Sequence, residues 1–173
     1  GGFGAGNVVL AGDGTLQKWT VVNQVRMTSE DMPACFFGVS AAGQSFALIS
    51  PETYTDANCR LPAQFPASVS RASVERLQQT LPGVKSISLQ GRFPIADVRY
   101  EIDGFPLEVA MEATSPMIPG GLKNSSLPVA LFTFTLTNNC SFPIEARVLS
   151  AQQNFVGWDG QADCRTPGGG GGG

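Results

Sequence analysis

The stretch RFPIADVRYEIDGFPLEVAMEATSPMIP, residues 92–119, carries the acids Asp97, Glu101, Asp103, Glu108 and Glu112 on two alternating runs joined by DGFP. Paired carboxylates can cleave a glycosidic bond when they stand about 5–5.5 Å apart (retaining) or about 6.5–9.5 Å apart (inverting). Spacing tests this directly. Glu108 and Glu112 lie on one run, and at ~3.3 Å per strand residue they are roughly 13 Å apart, too far for a dyad. A cross-strand pair such as Glu101 with Glu108 is geometrically open. Side chains alternate faces along a strand. Val98, Tyr100 and Ile102 therefore share one side, with Asp97, Arg99 and Glu101 on the other. In the second run Leu107, Val109, Met111 and Ala113 oppose Glu108 and Glu112. One buried face and one wet face is the mark of antiparallel strands. The acids are expected to be the wet face, and no catalytic residue is assigned.

Other chemistries are excluded by residue type. The chain has no histidine, so a Ser-His-Asp triad, a Cys-His pair and an HExxH zinc site cannot be built. Cys35, Cys59, Cys140 and Cys164 include no CxxC pair, so no metal site is expected. Unpaired thiols in a cytosolic parent are the favoured state. The opening GGFGAGN has Val9 where a dinucleotide fingerprint needs its third glycine, and no GK[ST] follows. No cofactor is expected. Eleven basic residues lie scattered in a chain of net charge −3, which argues against a nucleic-acid partner.

The elements that hold these residues follow from pattern and punctuation. A length of 173 residues suits one domain. Asp13-Gly14 signals a hairpin turn between a strand at Val8–Leu10 and KWTVVNQV. ACFFGVS and SFALIS flank a second turn at Ala41-Ala42-Gly43-Gln44. Residues 51–70 read as loop, and SVERLQQTL (73–81) is the one helical stretch, stopped by Pro82-Gly83. VKSISLQGRF reads as a strand. SLPVALFTFTLTNN is the strongest strand, with Ala130, Phe132, Phe134 and Leu136 on its apolar side. In FPIEARVLSAQQN, Ile144, Ala146 and Val148 alternate with Glu145 and Arg147. Residues 112–128, rich in proline, glycine and serine, read as an ordered loop closing the strand that ends near Ala113. The sum is an all-β fold: an antiparallel β-sandwich with one short helix over residues 1–167, followed by a flexible glycine tail at 168–173. The chain reads as a piece of a longer polypeptide.

The order of motifs resembles the amino-terminal domain of glycoside hydrolase family 116, the non-lysosomal glucosylceramidase and bile-acid β-glucosidase type. GGFGAGNVVLAGDGTLQKWTVVN is similar to that family's GGIGxG and GDGxLxxW opening. GRFPIADVRYEIDGFPLEVAMEATSPMIP is similar to its FP, YxD and P(L/V)xVxxEAxSPxIP block. NSSLPVALFTFTLTNN resembles SSLPVAxFxFxxxN, and AQQNFVGWDG resembles a later QNxxG block. The chain departs at TVVN, where the family more often has an aromatic before Asn23. The resemblance implies a β-sandwich preceding a carboxy-terminal helical-barrel catalytic domain that holds both catalytic carboxylates. It also implies a parent acting on β-glucosides such as glucosylceramide, cytoplasmic or peripheral to a membrane.

Within that frame, Gly2, Gly4, Gly6 and Asn7 are expected to form a cleft-rim or interdomain loop, because glycine permits close backbone approach. Met117 and Ile118 are expected either to pack under their own loop or to meet the missing domain. A stand-alone carbohydrate- or protein-binding module is the alternative. Trp158, in a GWDG turn, would then be its sugar-stacking residue, while Trp19 is expected to be buried within its strand.

Overall fold

A computed structural model describes residues 6–20, 35–50 and 79–152. Its strands are β1 (Asn7–Leu10), β2 (Leu16–Thr20), β3 (Phe36–Ala41), β4 (Gln44–Ala47), β5 (Ser86–Arg92), β6 (Ile95–Glu101), β7 (Leu107–Thr114), β8 (Leu131–Asn138) and β9 (Ala146–Ala151). A short helix, α1 (Leu122–Ser125), lies between β7 and β8. The strands form a β1-β2 ribbon, a three-stranded sheet in the order β4-β3-β9, and a four-stranded sheet in the order β5-β6-β7-β8. Every pairing between these strands is antiparallel.

Both expected hairpins are present. The first turns at Asp13-Gly14, where the Asp13 carboxylate accepts from the Thr15 amide at 2.9 Å and the Thr15 hydroxyl at 2.6 Å. The second turns at Ala42-Gly43, whose φ values of 51° and 76° suit the right-handed twist of a two-residue hairpin. Alternation places the faces as expected. Val98 and Tyr100 of β6, and Leu107, Val109 and Met111 of β7, are buried, while Arg99, Glu101, Glu108 and Glu112 are exposed.

The two larger sheets pack face to face, giving the all-β sandwich. The β3 side chains Phe37 and Val39 meet Val98, Tyr100, Val109 and Met111, with Phe132, Phe134 and Leu136 of β8 packed against them. Phe37 lies between two rings of the facing sheet, at centroid distances of 4.9 Å to Phe132 and 5.1 Å to Phe134. The β3 segment CFFGV does not alternate because both of its faces are covered. Phe36 turns the other way, into a second cluster with Ala47, Ile49 and the half-buried Leu81 and Ala151. A continuous apolar run is the sequence form of such a strand.

Val148 is exposed, because β9 pairs with β3 along one edge only and stands at the margin of its sheet. The helix expected over 73–81 falls largely on residues outside the described ones, and its described end, residues 79–80, is helical. The expected loop after Ala113 begins one residue later and contains α1.

Burial also sets a pH response. Tyr100 is 7% exposed, and burial raises its phenol pKa above the ordinary value near 10. Its hydroxyl donates only to the Met111 sulfur, at 3.8 Å, a weak acceptor. A folded-state pKa raised above the unfolded one means stability that is present below about pH 10 and lost as pH climbs beyond it. Tyr100→Phe should be close to neutral at pH 7. Above about pH 10 the unsubstituted chain should lose up to ~1.4 kcal/mol per pH unit more than the variant. Urea midpoints of the two proteins between pH 8 and 11 check this. Parallel curves would contradict the burial.

Candidate functional site

Asp97, Glu101, Glu108 and Glu112 stand on the outer face of the four-stranded sheet, and Asp103 lies in the turn after β6. Register lines them up in rows. Gln90, Asp97, Glu112 and Thr133 oppose one another across all four strands, and the next row is Ser88, Arg99, Ala110 and Thr135. Ser86 opposes Glu101, and Glu108 opposes Thr137. Asp97 and Glu112 therefore form a cross-strand carboxylate pair, a juxtaposition that needs the β6–β7 register as well as the alternation.

Directly opposed residues have Cβ atoms about 4.5–5.5 Å apart, so distance alone permits a dyad on this face. The surroundings argue against one. Asp97 is held by Arg92 at 2.8 Å. Glu101 accepts from Lys85 at 2.7 Å and from Ser86 at 2.8 Å, and Asp103 shares the same lysine at 3.1 Å. The hydrogen bond and charge of Lys85, with help from Ser86, hold the Glu101 carboxyl below the usual carboxylate range. Glu101 and Asp103 in turn raise Lys85. Glu108 accepts from the Asn139 amide at 2.7 Å. These are exposed contacts on an open sheet face, whereas a glycosidase needs a concave, partly water-excluding site around its acid. The face is a solvated, hydrogen-bonded lattice.

A cavity of about 450 Å³ lies elsewhere, between the β3–β4 turn and residues 142–147. Phe142, Glu145 and Arg147 are among its walls, and the carboxylate and guanidinium pair at 2.6 Å. Among the described residues no three side chains of the metal-ligating types gather to hold an ion, and no helix is long and apolar enough to cross a membrane.

Of the residues expected to form a rim or interdomain loop, Gly6 has φ +93° and Asn7 opens β1 on an exposed position. Met117 and Ile118 are both exposed, in the segment between β7 and α1. Gly2, Gly4 and Trp158 lie outside the described residues, as do Cys59 and Cys164. The Trp19 backbone is in β2. Sequence reading missed that Phe93, Leu122, Leu127 and Leu131 are also exposed. A usable signal was present, since between Glu112 and Glu145 the only charged side chain is Lys123.

The family model described as beta-glucosidase 2, glycosyl-hydrolase family 116 N-term, matches residues 1–168. No curated protein matches the chain. The match spans both hairpins, both larger sheets and the intervening segments, in agreement with the sandwich and with the block order of the sequence. The chain belongs to glycoside hydrolase family 116, as the amino-terminal domain of that family.

Proposed function

We propose that this chain is the non-catalytic β-sandwich of a β-glucosidase that hydrolyses β-glucosides, glucosylceramide among them, in its full-length form. The family match over residues 1–168 carries the reading. The state of the strand acids supports it, since each contact that Asp97, Glu101 and Glu108 make is one expected of a solvated sheet face. The partner is a carboxy-terminal helical-barrel domain, which supplies the two carboxylates that act on an oxocarbenium-like transition state. The sandwich braces that domain. The segment Gly2, Gly4, Gly6 and Asn7, which leads into β1, serves at the rim of the cleft or against the neighbouring domain, a role that the left-handed Gly6 backbone suits.

An aryl β-glucoside tests the division of labour. The purified 173-residue chain should release no aglycone above background, and the full-length gene product should turn over. Activity that stays with the fragment through purification, and is lost on Glu108→Gln or Glu112→Gln, would place the chemistry here instead.

A second reading, a carbohydrate-binding module, is supported by the cavity beside Phe142. That ring is 60% exposed next to the Glu145–Arg147 pair, a combination of apolar plate and polar groups that suits a sugar ring. Methyl β-glucoside should then shift the NMR signals of Phe142 and Arg147, and a Phe142→Ala variant should abolish the shifts. Unchanged spectra at saturating sugar would remove this reading.

A further inference from the structure

One end of the four-stranded sheet differs from the rest. The last cross-strand row of the outer face is Arg92, Ile95, Thr114 and Leu131, so the β5–β6 turn, the end of β7 and the start of β8 all meet there. The turn is tied to the β7 end, because the Pro94 carbonyl accepts from the Thr114 hydroxyl at 3.2 Å. In the turn at this row and in the segment that joins its β7 and β8 members, large apolar side chains face water: Phe93 is 84% exposed and Leu122 73%, with Met117, Ile118, Leu127 and Leu131 also exposed. A patch of this kind on a soluble domain marks an interaction site.

The segment from Ile118 to Ser125 is tied to itself. Ser125, only 3% exposed, accepts from the Ile118 amide at 2.9 Å and donates to the Ile118 carbonyl at 3.2 Å. The Gly121 amide closes on the same carbonyl at 2.9 Å. A Cβ at Gly121 would lie 3.1 Å from the Ile118 side chain, so the turn packs closely on that residue. The loop is thus ordered by its own hydrogen bonds while it presents Ile118 and Leu122 outward. Such preorganisation lowers the ordering cost of association. Charge is sparse there: Lys123 is the only charged residue between Glu112 and Glu145, and Arg92 of the row is paired with Asp97 at 2.8 Å, while interface cores are poor in charge and rich in Phe and Met.

We infer that this end of the sheet, centred on Phe93, Ile118, Leu122 and Leu131, is the face on which the polypeptide following this domain docks. The inference rests on the family reading, in which the matched unit is the N-terminal part of a longer chain. A net charge of −3 disfavours the anionic lipid surface that would be the other apolar occupant.

Photo-crosslinking in the full-length protein tests this. The photoreactive residue p-benzoylphenylalanine replaces Phe93, Leu122 or, as control, the exposed Phe142. Positions 93 and 122 should crosslink within the same chain to peptides beyond residue 168, and position 142 should not. Crosslinks to a second copy, to added phosphatidylcholine–phosphatidylserine vesicles, or to nothing would overturn the docking face. As an independent readout, Phe93→Asp with Leu122→Asp should lower the melting midpoint of the full-length protein, and Phe142→Asp should leave it in place. Equal midpoints for all three proteins would also count against the inference. Aryl β-glucoside turnover by the same unsubstituted protein is scored separately. Crosslinks without turnover would keep the docking face and remove the activity, and turnover without crosslinks would do the reverse.

Discussion

Replacing Gly14 by alanine is expected to remove a large part of this domain's stability. Gly14 sits at φ +87°, and a Cβ built there would lie 2.1 Å from the backbone oxygen of Leu48 and 3.0 Å from the Ile87 side chain. The first contact is with backbone, so no rotamer change relieves it. The left-handed conformation alone costs an L-residue roughly 1–2 kcal/mol. The surrounding turn has no slack. The Ser50 amide donates to the Asp13 carbonyl at 2.8 Å, and the Leu16 amide donates to Cys35 at 2.8 Å, so the hairpin tip is stitched to both neighbouring segments. Leu16 and Leu48, which flank the clash, are fully buried. Backbone strain combined with core displacement puts the loss at about 3 kcal/mol or more. That compares with a total of about 5–15 kcal/mol for a domain of ordinary stability. Gly12→Ala in the same hairpin meets nothing within 4 Å and should stay within about 0.5 kcal/mol. Urea midpoints of the two variants make the comparison. A Gly14→Ala loss no larger than that of Gly12→Ala would mean that the turn does not press on Leu48.

Phe37→Ala should be nearly as costly. Its ring is 7% exposed and bridges the two sheets through Phe132 and Phe134. Truncating a buried phenylalanine costs about 3–5 kcal/mol, because the cavity does not fully collapse. The alternation of SLPVALFTFTLTNN points instead to Phe134 as the core test residue. Phe134 does face inward, but it is only half-buried, on the last strand in the β5-β6-β7-β8 order. Phe134→Ala should therefore cost less than Phe37→Ala while still exceeding about 1 kcal/mol. The rings touch, so the double variant should lose less than the sum of the singles. Additive losses would show that the two rings do not share a packing unit.

Local patterns made much of the fold legible. The DG and AAGQ turns, the alternation of β6 and β7 and the inward row of β8 all depend on neighbours within a few residues. What could not be read depends on distant partners. Cys35 to Val39 form a continuous apolar run whose two-sided burial follows from packing on both faces, against Val98, Val109 and Met111 of the facing sheet on one side and Ile49 and Leu81 on the other, all distant in the chain. Val148 keeps the face of its partner Val39 but stays exposed, because the β9 position at the sheet margin is a property of the whole topology. The helix α1 carries almost no local signal. Its N-cap is Gly121 with no side-chain cap, and its first turn has no acid. It forms because Ser125 closes on Ile118. The carboxylate lattice was legible as a wet face, but the Asp97–Glu112 opposition and the Lys85 bridge to Glu101 and Asp103 needed register. The same limit applied to the apolar end of the sheet, where the β5–β6 turn that carries Phe93 and the start of β8 at Leu131 reach one end of the sheet only once β5 to β8 are aligned.

The central claim is that the acids on the sheet face are structural and the chemistry lies outside this domain. The most direct measurement is kcat on an aryl β-glucoside for the full-length protein carrying Asp97→Asn, Glu101→Gln, Glu108→Gln and Glu112→Gln together. Isosteric changes on this outer face leave the buried rows of β6 and β7 untouched, so folding should be retained and kcat should stay within about threefold of the unsubstituted enzyme. A fall of about a hundredfold or more in a protein with an unchanged melting midpoint would be the signature of lost acid–base catalysis, and would return the active site to this sheet.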